Sequence, residues 1–234
     1  MKLRPLIGIL VLVAGVNAYG ASLLVRPTTV ILAGTDSAAT VTITNSGQEA
    51  VNAQLRIFNW TQDQNQDQLE QSTSVVASPP MLTLPAGQSQ TVRLVRVSTE
   101  RPKAEESYRL IVDEITDRKA AQATSGVAIA LRYSVPVFVM PNPAEPARAT
   151  VKATMSANTL VLDVSNRGRS HAQISNVTLS YPDGSTHVVN AGLIGYVLPD
   201  EQRQWKLDLP ASRPAGAPKR VRAMINGKEL LVAL

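Results

Sequence analysis

The chain has no cysteine. No disulfide can staple it and no thiolate can hold a metal, so its core must stand on packing alone. Histidine is scarce as well, with only His171 and His187. Neither has a nucleophile motif beside it and nothing sets ligand spacing between them, so both read as surface or partly buried side chains. There is no Gly-x-Ser-x-Gly elbow and no phosphate-cradling glycine loop. Asp113 and Glu114 are adjacent carboxylates, but neighbours on a strand point to opposite faces and make a poor acid–base pair. The sequence therefore offers no enzyme, no cofactor and no small-molecule substrate. Aromatics are few, at two Phe, two Trp and five Tyr, and the net charge of +5 is scattered along the chain. Nucleic-acid binding calls for a basic stripe interleaved with stacking aromatics, and this chain has neither. Helical periodicity is missing throughout, which leaves β-structure as the only regular element.

What is present begins with a targeting segment. Lys2 and Arg4 precede an apolar run over residues 6–14, too short for the ~20 residues of a membrane span. Small residues for cleavage follow at Val16-Asn17-Ala18 or Ala18-Tyr19-Gly20. Residues 1–20 read as a secretory signal peptide, so the mature protein is expected outside the cytoplasm.

The most strongly patterned stretch is 126–140. Val127, Ile129, Leu131, Tyr133, Val135, Val137 and Val139 form one unbroken face, with small or mixed residues between them. Period two over that length predicts a strand far longer than the usual ~5–6 residues. Pro136 lacks an N–H, which favours an edge or a crossing between sheets. Long apolar edges invite aggregation, so a chain that keeps one is expected to use it. Further strands are expected at 23–32 (interrupted by Pro27), 39–44, 51–60, 75–76, 81–84, 90–97 and 108–115. The polar segment 61–74 reads as an exposed hairpin tip or loop, and 117–126 as a loop feeding the patterned strand. Short strands with turn signals between them are the pattern of an immunoglobulin-like β-sandwich.

Pro141, Pro143 and Pro146 then stiffen the chain into an elbow. The second half repeats the landmarks of the first. Ile43-Thr44-Asn45-Ser46-Gly47 returns as Val164-Ser165-Asn166-Arg167-Gly168, and Leu84-Pro85-Ala86-Gly87-Gln88 as Leu198-Pro199-Asp200-Glu201-Gln202. Strands are expected at 172–181, 192–198, 205–209, 221–225 and 229–233, the last two joined by an Asn226-Gly227 turn. The expected fold is all-β: two immunoglobulin-like β-sandwich domains, 21–140 and 141–234, joined by a Pro-rich elbow.

Taken in order, several segments resemble the PapD-like periplasmic pilus assembly chaperones of the chaperone–usher pathway. They are Val41-Thr42-Ile43-Thr44-Asn45, Ser78-Pro79-Pro80 with Leu84-Pro85-Ala86-Gly87-Gln88, Tyr108-Arg109-Leu110 leading to Asp113-Glu114-Ile115, and Ile129-Ala130-Leu131. The phrase from Arg132 to Phe138 looks like the archaic branch, found with spore-coat-U-type pilins. This resemblance implies periplasmic localisation, pilin subunits and an outer-membrane usher as partners, and no ATP or metal. It implies that the strand is lent to an incomplete pilin sandwich, a form of β-augmentation, with Val127, Ile129 and Leu131 at the donor positions. A donor edge also allows a self-capping dimer in the free protein. The family's usual carboxylate anchors fall here on Thr29 and Pro136, which carry no charge. A relocated anchor at Arg132, Arg93, Arg96 or Arg26 is therefore expected, with Arg132 on the same strand face as Pro136. The competing reading is a secreted two-domain Ig-like structural or adhesive module, which needs no lent strand.

Overall fold

A computed structural model describes residues 23–98, 100, 102–115, 130–210, 212–214 and 216–234. The expected signal segment, the loop 117–126, Val127 and Ile129 lie outside them. The described residues form seventeen strands and no helix.

Two sheets make the first sandwich. One is four-stranded, in the order β1 (Leu23–Arg26), β3 (Ala38–Asn45), β8 (Ser89–Arg96), β6 (Val75–Ser78). The other runs β2 (Val30–Leu32), β10 (Arg132–Val139), β9 (Glu106–Ile115), β4 (Val51–Asp63), β5 (Gln66–Gln71), with β7 (Met81–Leu84) also on β4. Period-two alternation turns one face of each strand inward. Val41, Ile43, Val92 and Leu94 meet Leu55, Ile57, Leu110, Val112, Val135, Val137 and Val139 in one buried core.

The expected strand 23–32 is two strands in two sheets. Pro27 falls between them: β1 pairs antiparallel with β3, and β2 pairs parallel with β10. Segment 61–74 is a hairpin rather than a loop. β4 continues to Asp63, and Gln64 and Asn65 turn at φ 47° and 66°, the left-handed pair of a tight two-residue turn. Every residue of β5 is exposed, so no face carried an alternating signal. The patterned stretch 126–140 is a regular strand from Arg132 onward. Its ladder extends one step further, since the Glu114 N–H donates to the Leu131 carbonyl at 2.9 Å.

The second sandwich pairs a three-stranded sheet, β11 (Ala149–Ser156), β12 (Thr159–Asn166), β15 (Gln202–Asp208), with a four-stranded one. The latter runs β14 (Thr186–Val197), β13 (Ala172–Ser180), β16 (Arg220–Ile225), β17 (Lys228–Ala233). β14 starts earlier than its sequence suggests, because the register shifts against β13 place extra residues on β14 and break the alternation that would have marked it. Leu160, Leu162, Val177, Leu179 and Val221 fill the core. The Pro-rich elbow passes hard against Gly168. A Cβ there would lie 2.3 Å from the Arg148 nitrogen and 2.6 Å from the Pro146 carbonyl oxygen, so only glycine fits.

Candidate functional site

β10 is flanked unequally. On one side it pairs with β9 along its whole length, Arg132 opposite Asp113 through to Val139 opposite Glu106. On the other side β2 reaches only Val137, Phe138 and Val139. Among the described residues, no strand pairs with that side of Arg132–Pro136. Pro136 sits where this open stretch ends, and its missing N–H costs no ladder bond on the open side. Val135, Val137 and Val139 anchor the strand in the core while Arg132, Tyr133 and Ser134 remain accessible. Tyr133 holds the strand to β1, its hydroxyl donating to the Leu23 carbonyl. Leu131 is half-buried and still within the ladder to β9 through the Glu114 N–H. The result is a well-seated strand whose leading half, among the described residues, has a strand on one side only.

The candidate anchors divide. Arg132 lies at the open edge with its side chain 67% exposed, and its Nε donates to Asp113. Asp113 also accepts from Arg56 Nη2 at 2.6 Å, so two guanidinium groups meet on one carboxylate. Burial alone would raise the Asp113 pKa, but hydrogen bonds from Arg56 and Arg132 outweigh it and hold the carboxyl below its ordinary range. A depressed carboxylate contributes stability above its unfolded pKa and loses it as pH falls through the folded value. Asp113→Asn is therefore expected to be less stable than wild type at pH 7. In unfolding titrations the gap should narrow below about pH 4 and close on further acidification.

Arg96 is engaged elsewhere. Its Nη2 lies 3.1 Å from Glu106 Oε1, and Nη1 donates to the carbonyls of Ser98 and Glu100. Arg93 and Arg26 stand on the outer face of the four-stranded sheet, opposite Thr40 and Thr42. The fold thus groups Arg132 with Arg56, and does not bring Arg93, Arg96 or Arg26 onto that carboxylate.

Arg109 is a residue that sequence reasoning missed. It sits directly opposite Pro136 on β9, its guanidinium 3.6 Å from the Trp60 ring and 3.8 Å from Asp67. Burial pushes its pKa below the usual arginine value, against the opposing pull of Asp67. Nothing but the β9–β10 register reveals this pairing. The outward face of β10 is buried as well at Phe138. Phe138 joins Trp60, Tyr196, Leu198 and Met140 in a cluster that spans both sandwiches. His171 lies in this junction, not on an open surface. Its Nδ1 is 2.8 Å from Glu105 Oε2 and its ring stacks on Phe138. Gln62 adds a buried tie, donating to the Tyr196 carbonyl and accepting the Leu198 N–H, both at 3.0 Å.

Among the described residues no group of three or more His, Asp or Glu is placed to hold a metal. A cleft of about 450 Å³ lies between the β4–β5 tip and the second sandwich, lined by Gln64, Asn65, Lys152, Asp163 and Gln202 among others. It contains no histidine and no pair of acids.

No curated sequence matches the chain. Among solved structures, a chain of the CsuC–CsuE chaperone–tip adhesion subunit pre-assembly complex from the archaic chaperone–usher Csu pili of Acinetobacter baumannii aligns at a TM-score of 0.65. The identity is 20%, covering 91% of this chain and 98% of that one. A chain of the Salmonella enterica SafA pilin–SafB chaperone complex aligns at 0.61 and 16% identity, covering 94% and 99%. The E. coli chaperone DraB aligns at 0.58 and 19% identity, covering 91% and 97%. At such identities the likeness is one of fold. The family model described as "Pili and flagellar-assembly chaperone, PapD N-terminal domain" matches residues 22–145, more than half of the sequence. The chain belongs to this family of pili and flagellar-assembly chaperones.

Proposed function

We propose that this protein is a periplasmic chaperone that holds pilin subunits by lending them the stretch that leads into β10, Val127 to Leu131, and passes them to an outer-membrane usher. The observation that carries the reading is the half-open strand: among the described residues, Arg132–Pro136 has β9 on one side and no strand on the other, while the strand's far end is locked in the core. An incomplete sandwich needs what this edge offers, a free backbone ladder with aliphatic side chains at alternate positions. Val127, Ile129 and Leu131 are the donor side chains. Three buried aliphatics contribute about 5–9 kcal/mol before ordering costs are subtracted. Arg132 is the anchor for the subunit's terminal carboxylate, with Arg56 beside it to share Asp113. In this reading the chain works without catalysis, as part of an archaic-type assembly line, and its open edge is capped by a second copy when no subunit is present.

Co-expression with a pilin-type subunit tests it. The expected result is a soluble one-to-one complex recovered from the periplasm, with the chaperone shortened by removal of residues 1–20. Absence of any complex, or retention of the chaperone in the cytoplasm, overturns the reading. In the same assay Arg132→Ala is expected to reduce subunit recovery; unchanged recovery removes Arg132 as the anchor.

A further inference from the structure

Phe138 is fully buried although it points out of its own sandwich. Much of what covers it belongs to the other sandwich. The His171 ring stacks on it at 3.7 Å between centroids and 13° between planes, and Tyr196 stands 5.7 Å away. From its own sandwich only Trp60 shares this aromatic cluster, at 5.9 Å. The cross-strand partner of Phe138 is Ser107, whose hydroxyl donates to Glu105 Oε1 at 3.2 Å. The other Glu105 oxygen accepts the His171 backbone N–H at 3.0 Å and faces the ring Nδ1 at 2.8 Å. Asn226 fixes His171 from behind, its Nδ2 donating to the His171 carbonyl at 3.0 Å. The contacts close a loop: β10 to β9 through Phe138 and Ser107, β9 to the second sandwich through Glu105, and back to β10 through the imidazole ring.

We infer that His171 is a positioning residue for β10, so that the second sandwich holds the lent strand in place through Phe138. The inference rests on the reading of β10 as a donor edge. A strand supported on one side frays and twists unless its far end is fixed, and a new strand can add only to an edge that stays in register. β2 gives β10 just three paired residues, Val137 to Val139, and Phe138 is the middle one. Its inward neighbours are gripped by the core of the first sandwich. Its own ring is gripped across the junction. This gives the second sandwich a direct part in the work of a strand that is not its own. Phe138 and Arg132 lie on the same uninterrupted strand, so the clamp at one end of β10 reaches the open edge at the other.

Backbone amide exchange on the full chain, free and in complex with a pilin subunit, tests the inference. For His171→Ala, the amides of Val137, Phe138 and Val139 are expected to exchange about tenfold faster, with those of Val41, Ile43 and Val92 unchanged. Dissociation of the pilin complex is expected to speed up by about the same factor. The double variant Glu105→Gln/His171→Phe keeps a ring on Phe138 and removes the negative charge that would lose its imidazole partner. It is expected to restore both readouts. Unchanged exchange in β10, a uniform rise across the first sandwich, or failure of the double variant to rescue would each overturn the role of His171. The free-chain exchange decides this even where wild type captures no pilin, an outcome that sinks the donor-edge reading instead.

Discussion

Replacing Ile129 and Leu131 together by Asp abolishes the soluble pilin complex and leaves the chaperone folded: this is the largest functional effect expected of any change to the chain. On the donor reading each side chain enters the subunit's core. Losing two aliphatics removes about 3–6 kcal/mol, or two to four orders of magnitude in affinity. Two carboxylates brought into an apolar groove without partners add a further penalty. The free fold carries little of this cost. Leu131 is only half-buried in the unbound chain and lies beyond the regular part of β10. Co-purification from periplasm, with thermal unfolding of the free variant, separates the two effects. Val188→Asp is a suitable control, since Val188 is comparably apolar and 57% exposed on the second sandwich. Capture that survives in the double variant sinks the donor-strand claim. Equal loss in the control shows that any added charge disrupts capture, and sinks it too.

The strand faces were legible where one side of a strand is buried and the other is not. Val135, Val137 and Val139 alternate in the sequence and all three are in the core. Pro136 marked a place without a second neighbour, and β2 does begin its pairing one residue later. Pro27 marked a break, and the chain changes sheets there. Other features left no trace that period-two reasoning can detect. β5 is wet on both faces, so its polar residues left hairpin and loop open. Phe138 lies on the face of small or mixed residues, and nothing local marks it as buried, because its cover comes from His171, far along the chain and in the other sandwich. The neighbour of Pro136, Arg109, depends on antiparallel register, which no local pattern encodes. Of the candidate anchors, only Arg132 was placed by the strand pattern alone. Its tie to Asp113, shared with Arg56, emerges from three strands lying side by side.

The repeated Asn-x-Gly landmark carries the largest expected loss of stability. Asn45 and Asn166 are both fully buried polar residues. Asn45 Nδ2 donates to the carbonyls of Glu49 at 2.7 Å and Leu84 at 2.9 Å, and its Oδ1 accepts the Gly47 N–H at 2.9 Å. Asn166 repeats the arrangement. Its Nδ2 donates to the carbonyls of Ser170 at 2.8 Å and Val197 at 3.1 Å, and its Oδ1 accepts the N–H of Gly168 and of Arg148, both at 3.0 Å. Their backbone N–H groups also match, reaching Gln88 and Glu201 at 2.9 Å. In each sandwich one amide ties a strand end to its own turn and to the segment opening at Leu84 or Leu198. The two sequence landmarks recur together because one side chain joins them. Alanine would leave two or more buried carbonyl and N–H groups without partners, at about 1–3 kcal/mol each. Asn166→Ala is expected to cost about 3–5 kcal/mol, and Asn45→Ala somewhat less, since it has no counterpart to the Arg148 bond. For a sandwich of this size that lowers the melting temperature by roughly 12–40 °C. Aspartate is no substitute, because it would set a carboxylate oxygen against carbonyl oxygens where the amide nitrogen now donates. Calorimetric unfolding of Asn45→Ala, Asn166→Ala and Asn166→Asp checks the argument. A loss below about 1 kcal/mol for both alanine variants would mean that the turns hold without these amides, and that the shared landmark has another cause.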